Sequence, residues 1–268
     1  MKIGIFDSGL GGLVVAKSIF RRLPAYDYIY LGDTGRVPYG NRSRETIYQF
    51  TRQAVDFLFR RNCGLVLLAC NSASANALRR LQREYLPKHY PGRRILGVIV
   101  PTLEETAKHL HKTRLGVLAT AATVNSAIYR KELEKIDARA RIYEQAAPLL
   151  VPLIENNAVR FADPVLRSYL KPLQKKKIQA LVLGCTHYPI LKSRIKRLLG
   201  PKVSLICQNE LLPGKLADYL RRHPELERKL GKNGRRDFLI TESGKSFTAM
   251  ASRLFGRRLH LKTVKLAG

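Results

Sequence analysis

The chain has 268 residues, 45% hydrophobic and 26% charged, a balance that excludes a disordered chain and allows one large or two small globular domains. Its 49 Lys and Arg against 20 Asp and Glu give a net charge of +29, a field that attracts phosphates, anionic lipid surfaces and small anionic substrates alike. No run approaches the roughly 18 consecutive apolar residues of a membrane span.

The N-terminus, MKIGIFDSGLGG, enters an alternating apolar pattern with no signal region, so a cytoplasmic protein is expected. Short apolar strands then alternate with helical patterns, which predicts an α/β fold with mostly parallel sheets. The predicted strands are Lys2 to Phe6, Tyr28 to Leu31, Leu65 to Ala69, Ile95 to Val100, Leu115 to Ala119, Ala140 to Glu144, Ile178 to Gly184, Val203 to Cys207 and Phe238 to Thr241. Between the second and third, Ile47, Phe50, Ala54, Phe57 and Leu58 mark one face of a helix, with Ser43 as its N-cap and Glu45 in its first turn. The Pro- and Gly-bearing stretch LPKHYPGRR, residues 86 to 94, reads as a loop.

Two pairs of segments repeat. KIGIFDS at 2 to 8 resembles RLGVLAT at 114 to 120, and LVLLACN at 65 to 71 resembles LVLGCT at 181 to 186. Gly4 precedes Cys70 by 66 residues and Gly116 precedes Cys185 by 69. Apolar runs look alike in any parallel sheet, but here each ends in a cysteine followed by a polar residue. Open α/β sheets bind ligands at those strand ends. Two such halves face to face form a pseudo-symmetric molecule with two thiols across one cleft.

Matched thiols suit a reaction symmetric about one carbon. One thiolate removes a proton from one face and the opposite thiol returns one to the other, which is racemisation without a cofactor. Asp7-Ser8 stand at the end of the first strand, before the loop SGLGGL. That loop fails as a nucleotide signature, because it has no G-K-[ST] and Val14 stands where the dinucleotide fingerprint needs its last glycine. Asp7 can orient a substrate ammonium, assist proton transfer, or merely cap a helix. In the loop GDTGRVPYGNRS, Tyr39 and Gly40 offer a hydroxyl and a closely approaching amide. His187, two residues past Cys185, suits a thiol partner, a Cys/His hydrolase or a metal ligand, although no further Cys or His lies at a ligand spacing and no metal is expected. The basic charge also admits an anion- or nucleic-acid-binding protein. Without an RNA-binding or zinc-finger signature, nucleic acid is not expected as the main partner.

GIFDSGLGGL, LGDTGRVPYG, LACNSASA and LGCTHYPIL together resemble the motifs of bacterial glutamate racemases, with DFLITESGKSF similar to their C-terminal segment. The resemblance implies two facing α/β domains with the C-terminal segment returning to the first, residues 1–97 plus 209–268 and residues 98–208, and a cofactor-independent, two-base interconversion of L- and D-glutamate, which supplies D-glutamate for peptidoglycan. It implies proton exchange by Cys70 with D-glutamate and by Cys185 with L-glutamate, assisted by Asp7 and His187. Substrate contacts fall to Asp7, Ser8, Tyr39, Gly40, Asn71, Ser72, Thr120, Thr186 and His187, and Glu155 matches an acid near the second thiol. Glutamate is thus the expected small-molecule partner and a homodimer the expected assembly. The chain departs from the family pattern in Ser72 for Thr, in Ala119 and Ala122 for glycines, and in CQNE at 207 to 210 for a DSG stretch. Cys63 and Cys207 read as bystanders.

Overall fold

The computed structural model describes residues 1–109 and 114–266. Its strands are β1 (Lys2–Asp7), β2 (Tyr28–Gly32), β3 (Cys63–Leu68), β4 (Arg94–Gly97), β5 (Arg114–Ala119), β6 (Arg141–Ala146), β7 (Ala180–Gly184), β8 (Ser204–Cys207), β9 (Arg236–Ile240) and β10 (Leu261–Thr263). They form two sheets, β10-β9-β2-β1-β3-β4 and β6-β5-β7-β8, in which every recorded pairing is parallel. The expected α/β class is the observed one.

The faint repeat in sequence is a repeat in space. The order β2-β1-β3-β4 in one sheet matches β6-β5-β7-β8 in the other. The registers agree residue for residue: Ile3 pairs with Leu65 and Gly4 with Val66, as Leu115 pairs with Ala180 and Gly116 with Leu181. Continuing each strand by the same number of residues leads to Cys70 in one sheet and Cys185 in the other.

Both faces of the central strands are buried, as parallel sheets require. Ile3, Ile5, Leu65 and Leu67 point into one core, while Phe6, Val66 and Leu68 point into another with Ile47, Ala54 and Leu58 of the helix Arg44–Arg60. The first core continues into the second sheet through Leu115, Val117 and Val182 and takes in Leu212, Leu216 and Leu220 of the helix Gln208–Arg222. That helix packs on the helix Gly12–Arg22, so the chain returns from β8 to the first sheet. Ser43 caps its helix as expected, accepting from the Thr46 amide at 3.1 Å. Among the described residues no helix is long and apolar enough to cross a membrane.

Three local expectations change. Residues 86 to 94 are not all loop: Leu86–His89 continues a helical path behind the π-helical turn Leu81–Tyr85. Pro87 sits in the first turn of that segment, where its missing N–H costs nothing. The strand expected to reach Val100 stops at Gly97, because Ile99 already begins the helix Ile99–His109, with Pro101 tolerated in its first turn. Strand β10 was not visible in the apolar pattern, since LKT is three residues long with none fully buried.

Candidate active site

Cys70 follows β3 and serves as N-cap of the helix Asn71–Asn76, its sulfur 3.5 Å from the Ala73 amide. Its thiol donates to Ser8 Oγ at 3.3 Å. Burial, and then the nearby Asp7 charge, push this thiol up to about 12 despite the two hydrogen bonds. Cys185 follows β7, with its sulfur 3.8 Å from His187 Nδ1. Both thiols line the same cleft, together with Ser8, Tyr39, Gly40, Asn71, Ser72, Thr120, Glu155, Thr186 and His187. Asp7 lies immediately behind, fully buried.

Each thiol has its own ionisable neighbour. Asp7 accepts from the Gly9 amide at 3.1 Å and from Thr186 Oγ1 at 3.2 Å, so it ties the first sheet to the second. Burial raises its pKa against the opposing pull of His187 and these donors. On the far side, Glu155 Oε1 stands 3.1 Å from His187 Nε2, within ion-pair distance. Burial alone disfavours an imidazolium at His187. The thiol and carboxylate flanking the ring outweigh it, and its pKa rises to about 10. Among the described residues no three His, Cys, Asp or Glu side chains converge in the way a metal ion needs.

The hydroxyls form a chain across the cleft. Ser72 Oγ lies 2.9 Å from Thr120 Oγ1, which lies 3.0 Å from Thr123 Oγ1 and caps the helix Ala121–Asn125. Gly40 packs against Thr120 so closely that an added Cβ would sit 2.9 Å from the threonine Cβ. Tyr39 lines the cleft, but its hydroxyl donates to Asp33 Oδ2 at 2.5 Å. Ala119 and Ala122 lie in a strand and a helix and neither has positive φ, so the absence of glycine strains nothing there.

The loop SGLGGL joins β1 to the helix Gly12–Arg22. Its glycines admit neighbours: a Cβ on Gly11 would lie 2.5 Å from His187 Nδ1, and one on Gly12 would lie 2.4 Å from Asp7 Cβ. Close backbone approach is what these positions require.

Three participants escaped the sequence reading. Asp33, fully buried, accepts from Arg36 Nε at 2.7 Å, Thr241 Oγ1 at 2.8 Å and Tyr39, and so braces the loop that carries Tyr39 and Gly40. Its signal was an acid just past a strand end, as Asp7 is at its own. Gln208 and Tyr129 engage the Asn71 side chain. Gln208 lies inside the departure CQNE, where family pattern offered no guide.

The family model for Asp/Glu/Hydantoin racemases matches residues 5–212. Glutamate racemase of Ruegeria pomeroyi is 40% identical over 238 residues, 84% of this chain and 87% of its own. Among solved structures, a glutamate racemase isoform of Bacillus anthracis superposes with a TM-score of 0.90 at 34% identity, covering 99% of this chain and 97% of that one. Glutamate racemase of Francisella tularensis, solved in complex with D-glutamate, gives 0.88 at 33% identity with the same coverage.

Proposed function

This chain belongs to the Asp/Glu/Hydantoin racemase family, and from that footing we propose that it interconverts L- and D-glutamate by two-thiol proton transfer without a cofactor. The observation that carries the reading is the placement of Cys70 and Cys185 at equivalent strand ends of two matched sheets, lining one cleft. As a thiolate, Cys185 takes the α-proton of L-glutamate while the Cys70 thiol gives its proton to the opposite face, leaving D-glutamate and a Cys70 thiolate. The reverse reaction exchanges their roles. His187 and Asp7 are the groups through which each thiol regains its starting state. A carbon acid far weaker than a thiol needs its developing charge held in place. Ser8, Asn71, Ser72, Thr120 and Thr186, with the Tyr39-Gly40 turn, are the groups for that task.

In this reading residues 1–97 with 209–268 form one unit and 98–208 the other. The protein works in the cytoplasm as a homodimer and supplies D-glutamate for peptidoglycan.

The test is circular dichroism of L- and D-glutamate, separately, with reduced, dialysed, chelator-treated protein and L-aspartate as control. Both glutamate signals are expected to decay to zero while aspartate stays constant, and Cys70→Ala and Cys185→Ala are each expected to abolish the decay. Full activity in both variants would end the proposal. The sequence Cys185, His187, Glu155 also has the order of a thiol-nucleophile triad. That second reading requires a covalent adduct at Cys185 and indifference to Cys70.

A further inference from the structure

Next to Cys70, the side chain of Asn71 bonds to two other buried side chains, Gln208 and Tyr129. Its Nδ2 donates to Gln208 Oε1 at 2.7 Å, and its Oδ1 accepts from Gln208 Nε2 at 2.9 Å and from the Tyr129 hydroxyl at 2.8 Å. Gln208 Nε2 also donates to Tyr129 Oη at 3.1 Å, so both amide hydrogens of Gln208 are used. The three side chains are at most 2% exposed. They come from three places: Asn71 opens the helix after β3, Tyr129 lies in the helix Ile128–Ile136, and Gln208 stands where the chain leaves β8 to return to the first sheet.

We propose that Gln208 is a positioning residue for the Cys70 half of the reaction: through its paired amide contacts with Asn71, it holds the strand end bearing Cys70 against the second sheet. The inference rests on the two-thiol reading above. A reciprocal amide pair is a directional clamp, since both partners lose their hydrogen bonds if either rotates or shifts. Cys185 has no counterpart to it. Its following residue, Thr186, donates to Asp7 instead. Loosening Gln208 therefore disturbs one thiol and spares the other.

Steady-state rates alone do not reveal this. L- and D-glutamate have equal free energy, so kcat/KM must stay equal in the two directions for any variant. Isotope effects separate the halves. The deuteron of α-deuterated D-glutamate passes to Cys70, and that of α-deuterated L-glutamate passes to Cys185. In Gln208→Leu the barrier at Cys70 rises, and kcat/KM is expected to fall about tenfold or more for a sub-ångström displacement. The isotope effect from deuterated D-glutamate should grow, and that from deuterated L-glutamate should shrink toward the equilibrium effect of moving hydrogen from carbon to sulfur. Gln208→Glu keeps the acceptor for Asn71 Nδ2 but loses the donors, so a smaller change in the same sense is expected.

Thermal unfolding verifies folding of each variant. If Gln208→Leu does not fold, Tyr129→Phe, which removes a single hydroxyl from the ring, must show the asymmetry. Isotope effects that change equally for both enantiomers, or stay at wild-type values, overturn the role of Gln208 while leaving the racemase intact. Wild-type protein that does not racemise, or retains activity without Cys70, overturns the underlying reading instead.

Discussion

Alanine at Gly11 tests whether the glycine loop exists to admit His187. Gly11 has φ −57° and ψ −35°, an ordinary helical conformation, so the backbone accepts alanine without strain. Only space objects. The new Cβ would stand 2.5 Å from His187 Nδ1, 2.6 Å from Thr186 Oγ1 and 2.7 Å from His187 Cε1. Ordinary contact begins near 3.4 Å, so the loop or the two side chains must yield by about 0.9 Å. Neither side chain has room to yield: both are 4% exposed, with Asp7 bonded to Thr186 and Glu155 behind the imidazole. Overpacking of this kind costs about 1–3 kcal/mol. A shift of His187 approaching 1 Å should lower kcat about a hundredfold.

The control is the same substitution at Gly214, inside the helix Gln208–Arg222, where a Cβ meets nothing within 4 Å. There alanine should stabilise by about 0.5–1 kcal/mol and raise Tm by about 2 °C, with racemisation unchanged. Circular dichroism at 222 nm against temperature, and the glutamate signal decay, measure both effects. A Gly11→Ala protein with wild-type Tm and kcat would refute the steric argument. Equal damage from Gly214→Ala would show that the glycines matter for some reason other than space.

Glu155→Gln removes one of the two partners that raise His187, so its pKa should fall from about 10 toward the ordinary 6.5. The imidazolium exists below that pKa, so the alkaline limb of kcat/KM should begin at lower pH in the variant; an unmoved limb would exclude His187 from the profile. The same raised pKa makes His187 a source of folding stability that is complete below 6.5 and is lost as pH rises through about 10, so the wild type should lose more stability over that interval than Glu155→Gln in urea titrations. Asp33→Asn turns one acceptor oxygen toward donors as an NH₂ and leaves Arg36 without its carboxylate, at a cost of about 3 kcal/mol. Because Asp33 braces the Tyr39-Gly40 turn, KM for glutamate should rise as well; lost stability with an unchanged KM would detach Asp33 from the site.

The strands and the two thiols were legible because parallel strands buried on both faces leave near-continuous apolar runs, and each run ended on a marked residue. Even so, seven-residue similarities carried little weight until the register of β1 with β3 proved to match that of β5 with β7. What stayed hidden was long-range. Asn71 and Gln208 lie 137 positions apart, and nothing in LACNS or ICQNE announces a partner. Asp33 draws its donors from Arg36, Tyr39 and Thr241, the last 208 positions away. Such pairings depend on how two sheets are set against each other, and periodicity describes only which face of its own element a residue occupies. The role of the glycines at 11 and 12 stayed hidden for the same reason. Their meaning lies in Asp7 and His187, side chains that local sequence does not place beside them.

The repeat also explains why the two halves of the cleft are not alike. In the matched register Asp7 corresponds to Ala119, and Ser72, two past Cys70, corresponds to His187, two past Cys185. The thiols are duplicated while their ionisable neighbours are not. A two-base reaction needs one thiol as acid and the other as base at the same moment, and identical surroundings would favour the same protonation state in both. Distinct surroundings drive the two apart. Burial first, and then the Asp7 charge, push the Cys70 thiol up to about 12. On the other side His187 faces the Cys185 sulfur at 3.8 Å and Glu155 at 3.1 Å, and its own pKa rises to about 10. In the proposed reaction Cys70 is the acid toward L-glutamate. After one turnover the charges lie the wrong way round, and a proton must return to Cys70 before the next L-glutamate can react. Asp7, raised by burial and joined through Thr186 to the Cys185 side, is the group proposed for that return.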